Sequence, residues 1–524
     1  MSWSTGRVFP RPSLTLFAAV AGLAALGCGA DVPGQPFQAP APVAPAAITP
    51  GSPVRGEFMS YIFTFEDGRT DEQFFLRLPS GEERRLHFDT APDIAGGTSL
   101  EIMPKALMAD GEIQVGSVKL LENRSPIETR QSALKAGQAY RPRKMALVLV
   151  DLGRGVNITK EMAQQRMFGT NTNDGSLRQY YMEASYGRQD LGGDIIGPLK
   201  ATMTGCNFSS LPQQLRAQIP GQYDHYLWYF GQSVAGCGFL GVAVSGTPDR
   251  PTRDSWYNAS ASCVVLVQEP GHNFGMLHAS SMRCGTGATA KSFVDQPMGA
   301  CTHSEYGDPY DPMGRACRHM NAYMKAFQGW FGGCNMVDVT STGTFTINPL
   351  ELPCDGVQVL QIPMPKMRPF TRSGGGGPSG ITTLTHYYVE FRASHGFDRM
   401  IAPTVQVRVS GDVRMRTQRG FHTWVLDMNP ATTTVDGLAA GGSYTDPAGN
   451  IKITVESMDA QKASVKVEIT GGAGGGPMCL DGTPFTGPGP GPESCAAGPA
   501  VPSGAPPSIS DGGLPPIGGG SDAM

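Results

Sequence analysis

Between Val264 and Ser280 the chain reads VVLVQEPGHNFGMLHAS, which brings an amide, a carboxylate and two imidazoles close together in sequence. Gln268 and His272 are four positions apart, so on a helix they share one face and can grip a single metal ion. Glu269 lies beside them, able to take a proton from a water held there. His278 is six positions past His272, and six residues of unbroken helix rotate by roughly 240°, which would point it away. The helix must therefore end between them, and Gly275 is the residue that can adopt the left-handed turn required. Three ligands (Gln268, His272, His278) with Glu269 as the base is a hydrolytic arrangement. Downstream, Met313 sits in the segment Asp311-Pro312-Met313-Gly314.

These residues need a scaffold, and the flanking sequence predicts one of mixed α+β class. Met145 to Val150 is a continuous apolar run and reads as a buried central strand. Ser176 with Gln179 forms a capping box ahead of Leu177, Tyr180, Tyr181 and Ala184, and Gly187 sits where a helix ends. Another helical stretch lies near Thr159 to Met167. A catalytic domain with a mixed sheet and helices is thus expected over 142–334. Before it, 56–125 alternates with period two (Tyr61, Phe63, Phe65; Phe74, Leu76, Leu78; Leu86, Phe88), with turn residues between the runs, and predicts a small N-terminal β-module. It contains no cysteine, so latency through a thiol on the metal is excluded; the module is either a propiece or a permanent accessory domain. After it, 335–470 carries five β-branched runs, at 386–391, 404–409, 423–426, 451–455 and 464–469, and predicts a C-terminal β-sandwich.

The ends of the chain differ from its middle. Of 524 residues, 69 are Gly and 43 Pro, many of them near the two termini. Residues 29–55 form a Pro/Ala-rich linker, and 471–524 a Gly/Pro-rich tail expected to be disordered. Residues 1–28 read as an export signal, with Arg7 and Arg11 ahead of an apolar run from Leu14 to Leu26 that is too short to span a bilayer. It closes in Ala25-Leu26-Gly27-Cys28, which resembles a bacterial lipobox and implies lipidation of Cys28; the alternative is an ordinary secretory signal. No later apolar run is long enough for a transmembrane helix. The expected location is the outer membrane or cell surface, or else the extracellular space. A net charge of −4 with 16% charged residues gives no basic field, and this excludes a nucleic-acid partner as a first reading. Setting Cys28 aside leaves an even number of cysteines, which in an exported chain suggests disulfides. Short loops favour Cys284–Cys301, Cys334–Cys354 and Cys479–Cys495.

Set against the extended zinc-protease pattern H-E-x-x-H-x-x-G-x-x-H, positions 268 to 278 match at Glu269, His272, Gly275 and His278, and Met313 matches the methionine turn of metzincins. The sequence resembles the gametolysin family of metzincin metallopeptidases. Further landmarks are Tyr181-Met-Glu-Ala-Ser-Tyr-Gly187, Tyr223-Asp-His225, Glu305-Tyr-Gly-Asp308, Gln328-Gly-Trp330, Tyr387-Tyr-Val-Glu-Phe-Arg392 with Gly396-Phe-Asp398, and Trp424-Val-Leu-Asp-Met-Asn-Pro430. The resemblance covers about 56–470. It implies one catalytic Zn²⁺, a Met313 floor beneath it, and endopeptidase activity on proteins of an extracellular matrix or cell wall; the chain is expected to act as a monomer on a polypeptide substrate.

Three departures stand out. Gln268 replaces the first histidine ligand; an amide oxygen is the weaker donor, so affinity should fall. Pro270 lies inside the motif, so either the helix starts near Val267 or it is kinked. Arg315 stands where some metzincins carry a zinc-linked tyrosine. His225, His303 and His319 are read as structural or surface residues, with His303 the substitute ligand should Gln268 not reach the ion. No G-x-S-x-G elbow is present. The rival reading is a protease-like lipoprotein that has lost activity and serves as a binding protein.

Overall fold

A computed structural model of the chain describes residues 48–121 and 142–495, with short internal breaks. The export signal with Cys28, most of the Pro/Ala-rich linker and the last part of the tail lie outside the described residues. No helix among them is long and apolar enough to cross a membrane.

The N-terminal strands are β1 (Val54–Phe65), β2 (Thr70–Arg77), β3 (Glu83–His87), β4 (Thr98–Leu107) and β5 (Ile113–Leu120). They close on themselves, because β1 pairs with both β2 and β4 while β3 and β5 join the other ends. Phe58, Phe74, Leu76, Leu86, Leu100, Ile102 and Ile113 fill this ring. Strand β1 is longer than the ring needs. Val54 to Phe58 pairs with β4, and Tyr61 to Phe65 runs on to pair with β9 (Phe239–Val244). The predicted alternation is therefore incomplete in β1: Phe58 to Thr64 is buried on both faces, because the strand is interior to a sheet.

The next strands are β6 (Arg143–Asp151), β7 (Leu191–Lys200), β8 (His225–Phe230) and β10 (Asp254–Asn258). With β9 they extend the same sheet in the order β1-β9-β10-β8-β6-β7; β6, β7, β8 and β10 run parallel, and β9 is antiparallel. The segments 56–125 and 142–334, distinct by sequence pattern, thus share one ten-stranded sheet. The helices are α1 (Lys160–Phe168), capped by Thr159, α2 (Leu177–Ala184), with the capping box of Ser176 and Gln179, the short α3 (Leu211–Leu215), α4 (Cys263–Asn273) and α5 (Ala322–Gln328).

After α4 the chain enters a second sheet. Strands β11 (Ala279–Cys284) and β12 (Cys301–Ser304) join β13 (Met336–Asp338), β15 (Val359–Arg372), β16 (Gly380–Arg392), β17 (Thr404–Ser410), β18 (Thr423–Leu426) and β22 (Met478–Cys479) in the order β12-β11-β18-β17-β16-β15-β13-β22. A third sheet, β14 (Gly343–Ile347), β21 (Ala463–Ile469), β20 (Ile451–Met458) and β19 (Ser443–Thr445), shares an apolar core with it through residues such as Phe345, Ile453, Val465, Val389 and Val407.

The cysteines correct part of the sequence reading. Cys284–Cys301 is paired as expected, but Cys334 pairs with Cys479 and Cys354 with Cys495, alongside Cys206–Cys237 and Cys263–Cys317. Short-loop reasoning fails here because β22 docks antiparallel on β13, with Val337 opposite Cys479. Strand pairing, rather than loop length, brings Cys479 to Cys334. Within the tail, Met478 and Cys479 form a sheet edge, and the residues after 495 lie outside the described residues.

Candidate functional site

Helix α4 is buried from Val265 to Asn273, and Gln268, Glu269 and His272 are inaccessible to solvent. The helix begins at Cys263, so Pro270 lies in its interior. Of the two alternatives for Pro270, a start near Val267 is excluded, and the proline is an interior break in the hydrogen-bond ladder. Val267's carbonyl accepts from the Tyr181 hydroxyl at 2.8 Å. The helix ends at Asn273, and Gly275 has a left-handed φ of 84°. A side chain at Gly275 would also strike the Gly246 carbonyl, 2.5 Å from an added Cβ. The reversal carries His278 to the start of β11, where its carbonyl accepts from the Thr423 amide at 3.2 Å.

The two imidazoles meet: His272 Nε2 and His278 Nε2 are 3.1 Å apart. Each ring is oriented through its other nitrogen. His272 Nδ1 donates to the Met276 carbonyl at 2.9 Å, and His278 Nδ1 to Glu305 Oε1 at 2.7 Å. With neutral rings, this orientation turns both Nε2 lone pairs toward each other. Two facing lone pairs at this distance repel unless a cation or proton lies between them. Tetrahedral zinc with Zn–N near 2.0–2.1 Å separates two imidazole nitrogens by about 3.3 Å, so the pair fits a shared ion. Gln268 supplies an independent sign. Its amide oxygen and nitrogen are both buried without a hydrogen-bond partner, a state that costs about 1–3 kcal/mol per group unless something binds there.

Glu269 Oε1 accepts from the Thr64 hydroxyl at 3.0 Å, and Oε2 has no partner. Burial pushes this carboxyl well above its ordinary range, and the Thr64 hydrogen bond opposes the shift. Gly241 on β9 makes room for it, since a Cβ there would lie 2.2 Å from Glu269 Oε1. Met313 is buried beneath α4 at Gly271, where an added Cβ would sit 2.7 Å from its sulfur. Asp311 holds the Met313 turn, accepting from the Met313 amide at 2.7 Å and the Asn321 amide at 2.6 Å. Cys263–Cys317 ties the start of α4 to the chain just beyond that turn.

Other histidines have other tasks. His303 accepts at Nδ1 from Trp424 Nε1 at 2.8 Å, and its Nε2 lies 3.6 Å from Glu305 Oε2. It faces the carboxylate that orients His278. His319 pairs with Glu183 at 2.6 Å, and His225 is buried on β8 with its ring against Phe274.

Sequence reasoning missed His422. His278, Glu305 and His422 bring ligand atoms within 4.8 Å of one another and could hold a metal. This alternative shares His278. The 2.7 Å contact of His278 with Glu305 has the length of a charge-assisted hydrogen bond, which favours Glu305 as the partner that orients a ligand. His422 stands two positions before Trp424, a landmark residue, and that adjacency was the available signal. Thr64, Gly241 and Gly271 had none, because their role depends on contacts between distant segments. No protein-family model matches the chain, and no curated protein matches it.

Proposed function

We propose that the chain is an exported zinc endopeptidase of metzincin type, lipid-anchored through Cys28 and acting as a monomer on extracellular or cell-wall polypeptides. The observation that carries this reading is the His272–His278 pair at 3.1 Å, with the unpartnered Gln268 amide one helical turn before His272 on the same helix. His272, His278 and Gln268 would hold the ion, and zinc supplies a Lewis acid that polarises the scissile carbonyl and makes water a better nucleophile. The remaining work belongs to the chain. Glu269 accepts the proton of the attacking water and returns it to the leaving amine. The Met276 carbonyl and Glu305 keep both rings in one tautomer, and Met313 closes the floor. Because the carboxylate is shut away from bulk water, its proton stays available for the return step.

The test is zinc stoichiometry measured beside casein or gelatin cleavage. Glu269→Ala should keep the metal and lose cleavage, while His272→Ala should lose both. His422→Ala should keep the metal; loss there, with retention in His272→Ala, would move the ion to the His278–Glu305–His422 group. Zinc bound without cleavage that depends on Glu269 would favour the second reading, a binding protein, which the complete burial of the base supports.

A further inference from the structure

We infer that strand β1 is a resident pseudosubstrate, holding the sheet edge that an extended polypeptide would have to take. This rests on the peptidase reading for its consequence but on the sheet for its evidence. Apart from β1, β9 would be the edge of the sheet formed by residues 142–334, and an open edge is a template for an extended chain. Strand β1 occupies it antiparallel, from Tyr61 opposite Val244 to Thr64 opposite Gly241 and Phe65 opposite Phe239.

The register matters. Thr64 lies opposite Gly241, the glycine that admits the Glu269 carboxylate, and its hydroxyl donates to that carboxylate at 3.0 Å. The same oxygen accepts from the Tyr306 hydroxyl at 3.3 Å, and the Tyr306 ring centroid is 4.3 Å from that of His278. A water activated by Glu269 must stand at hydrogen-bond distance from one of its two oxygens, and at Oε1 the Thr64 hydroxyl already holds that place. The contact is made by a side-chain hydroxyl, so β1 fills the place of water without offering an acyl group for attack.

The seal is firm. The opposite face of β1 packs Tyr61 and Phe63 against Phe208, Phe239 and Trp256, while β2 pairs along Glu57 to Thr64. A polypeptide therefore reaches Glu269 only in the fraction of molecules whose β1 has left β9, and its apparent affinity is reduced by that fraction.

The experiment uses the full-length chain in two altered forms. In one, Ile62→Cys with Ala243→Cys cross-links β1 to β9 at positions that face each other in the register. In the other, Phe63→Ala with Thr64→Gly loosens β1. Both are loaded with zinc, checked for a cooperative melt, and titrated with a fluorescent peptide of the sequence of residues 57–66, with casein cleavage followed in parallel. Peptide binding should fall by roughly tenfold or more in the cross-linked form and rise by a similar factor in the loosened one. A fully cross-linked chain that binds the peptide as tightly as the unaltered protein overturns the inference. So does a folded, loosened chain that binds it no more tightly. Binding that follows the expected order while no form cleaves casein supports the strand inference and overturns the peptidase reading.

Discussion

Gly271 and Met313 are in contact because one has no side chain: a Cβ on Gly271, one position before His272, a ligand in the proposed zinc site, would stand 2.7 Å from the Met313 sulfur. The helix and the methionine side chain come this close because position 271 has no side chain. Gly271→Ala should therefore push them apart, with a stability loss of about 1–3 kcal/mol from overpacking and weaker zinc binding. Denaturant melts with and without zinc would show it. An alanine variant as stable and as tightly loaded as the parent would mean that the turn moves freely and Met313 is no floor.

Glu305 should matter through His278 rather than by itself. Its carboxylate accepts from His278 Nδ1 at 2.7 Å, which in the proposed site would leave Nε2 to face the ion. Glu305→Gln is expected to lower zinc affinity by about 10–100-fold while leaving the melting temperature of the metal-free protein nearly unchanged. Competition against a chromogenic chelator measures the first, and calorimetry the second. If the ion instead sits with Glu305 and His422, the loss would be far greater and would be matched by His422→Ala.

Gln268→His restores an imidazole where an amide now lies, buried and unpartnered. Imidazole is the better zinc donor, so binding should tighten, read by the same chelator competition. Looser binding would show that Gln268 is not a ligand.

His225 should give the fold an acid-sensitive component. Burial, helped by nearby Arg143, lowers its pKa from the ordinary 6.5 to about 3. Below the unfolded value the unfolded chain binds a proton that the folded chain refuses, so stability is present in full above pH 6.5 and drains away as pH falls toward 3. The slope approaches about 1.4 kcal/mol per pH unit within that window. His225→Phe, which keeps a ring against Phe274, should flatten it. Urea midpoints of both proteins at pH 7, about 5.5 and about 4.5 make the comparison, with the carboxylates common to both cancelling. Parallel pH profiles would refute the assignment.

How much was legible beforehand depended on distance along the chain. Residue types at close spacing announced the helix, the break at Gly275 and the return of His278, because ligand geometry over a few residues follows from helix rotation alone. The capping box at Ser176 and the apolar run from Met145 were readable for the same reason. The mixed α+β character also followed from local periodicity, which changes between 3.6 and 2 along the chain.

The tertiary structure alone decided what those pieces meet. That β1 continues past its own ring onto β9, that Thr64 finds Glu269, that β22 carries Cys479 to Cys334, and that Trp424 and His303 stand behind Glu305 are all pairings between remote segments. An edge strand accepts any extended partner whose side chains fit, so its choice is made by the packing of the whole sheet, and no short stretch of sequence contains that information.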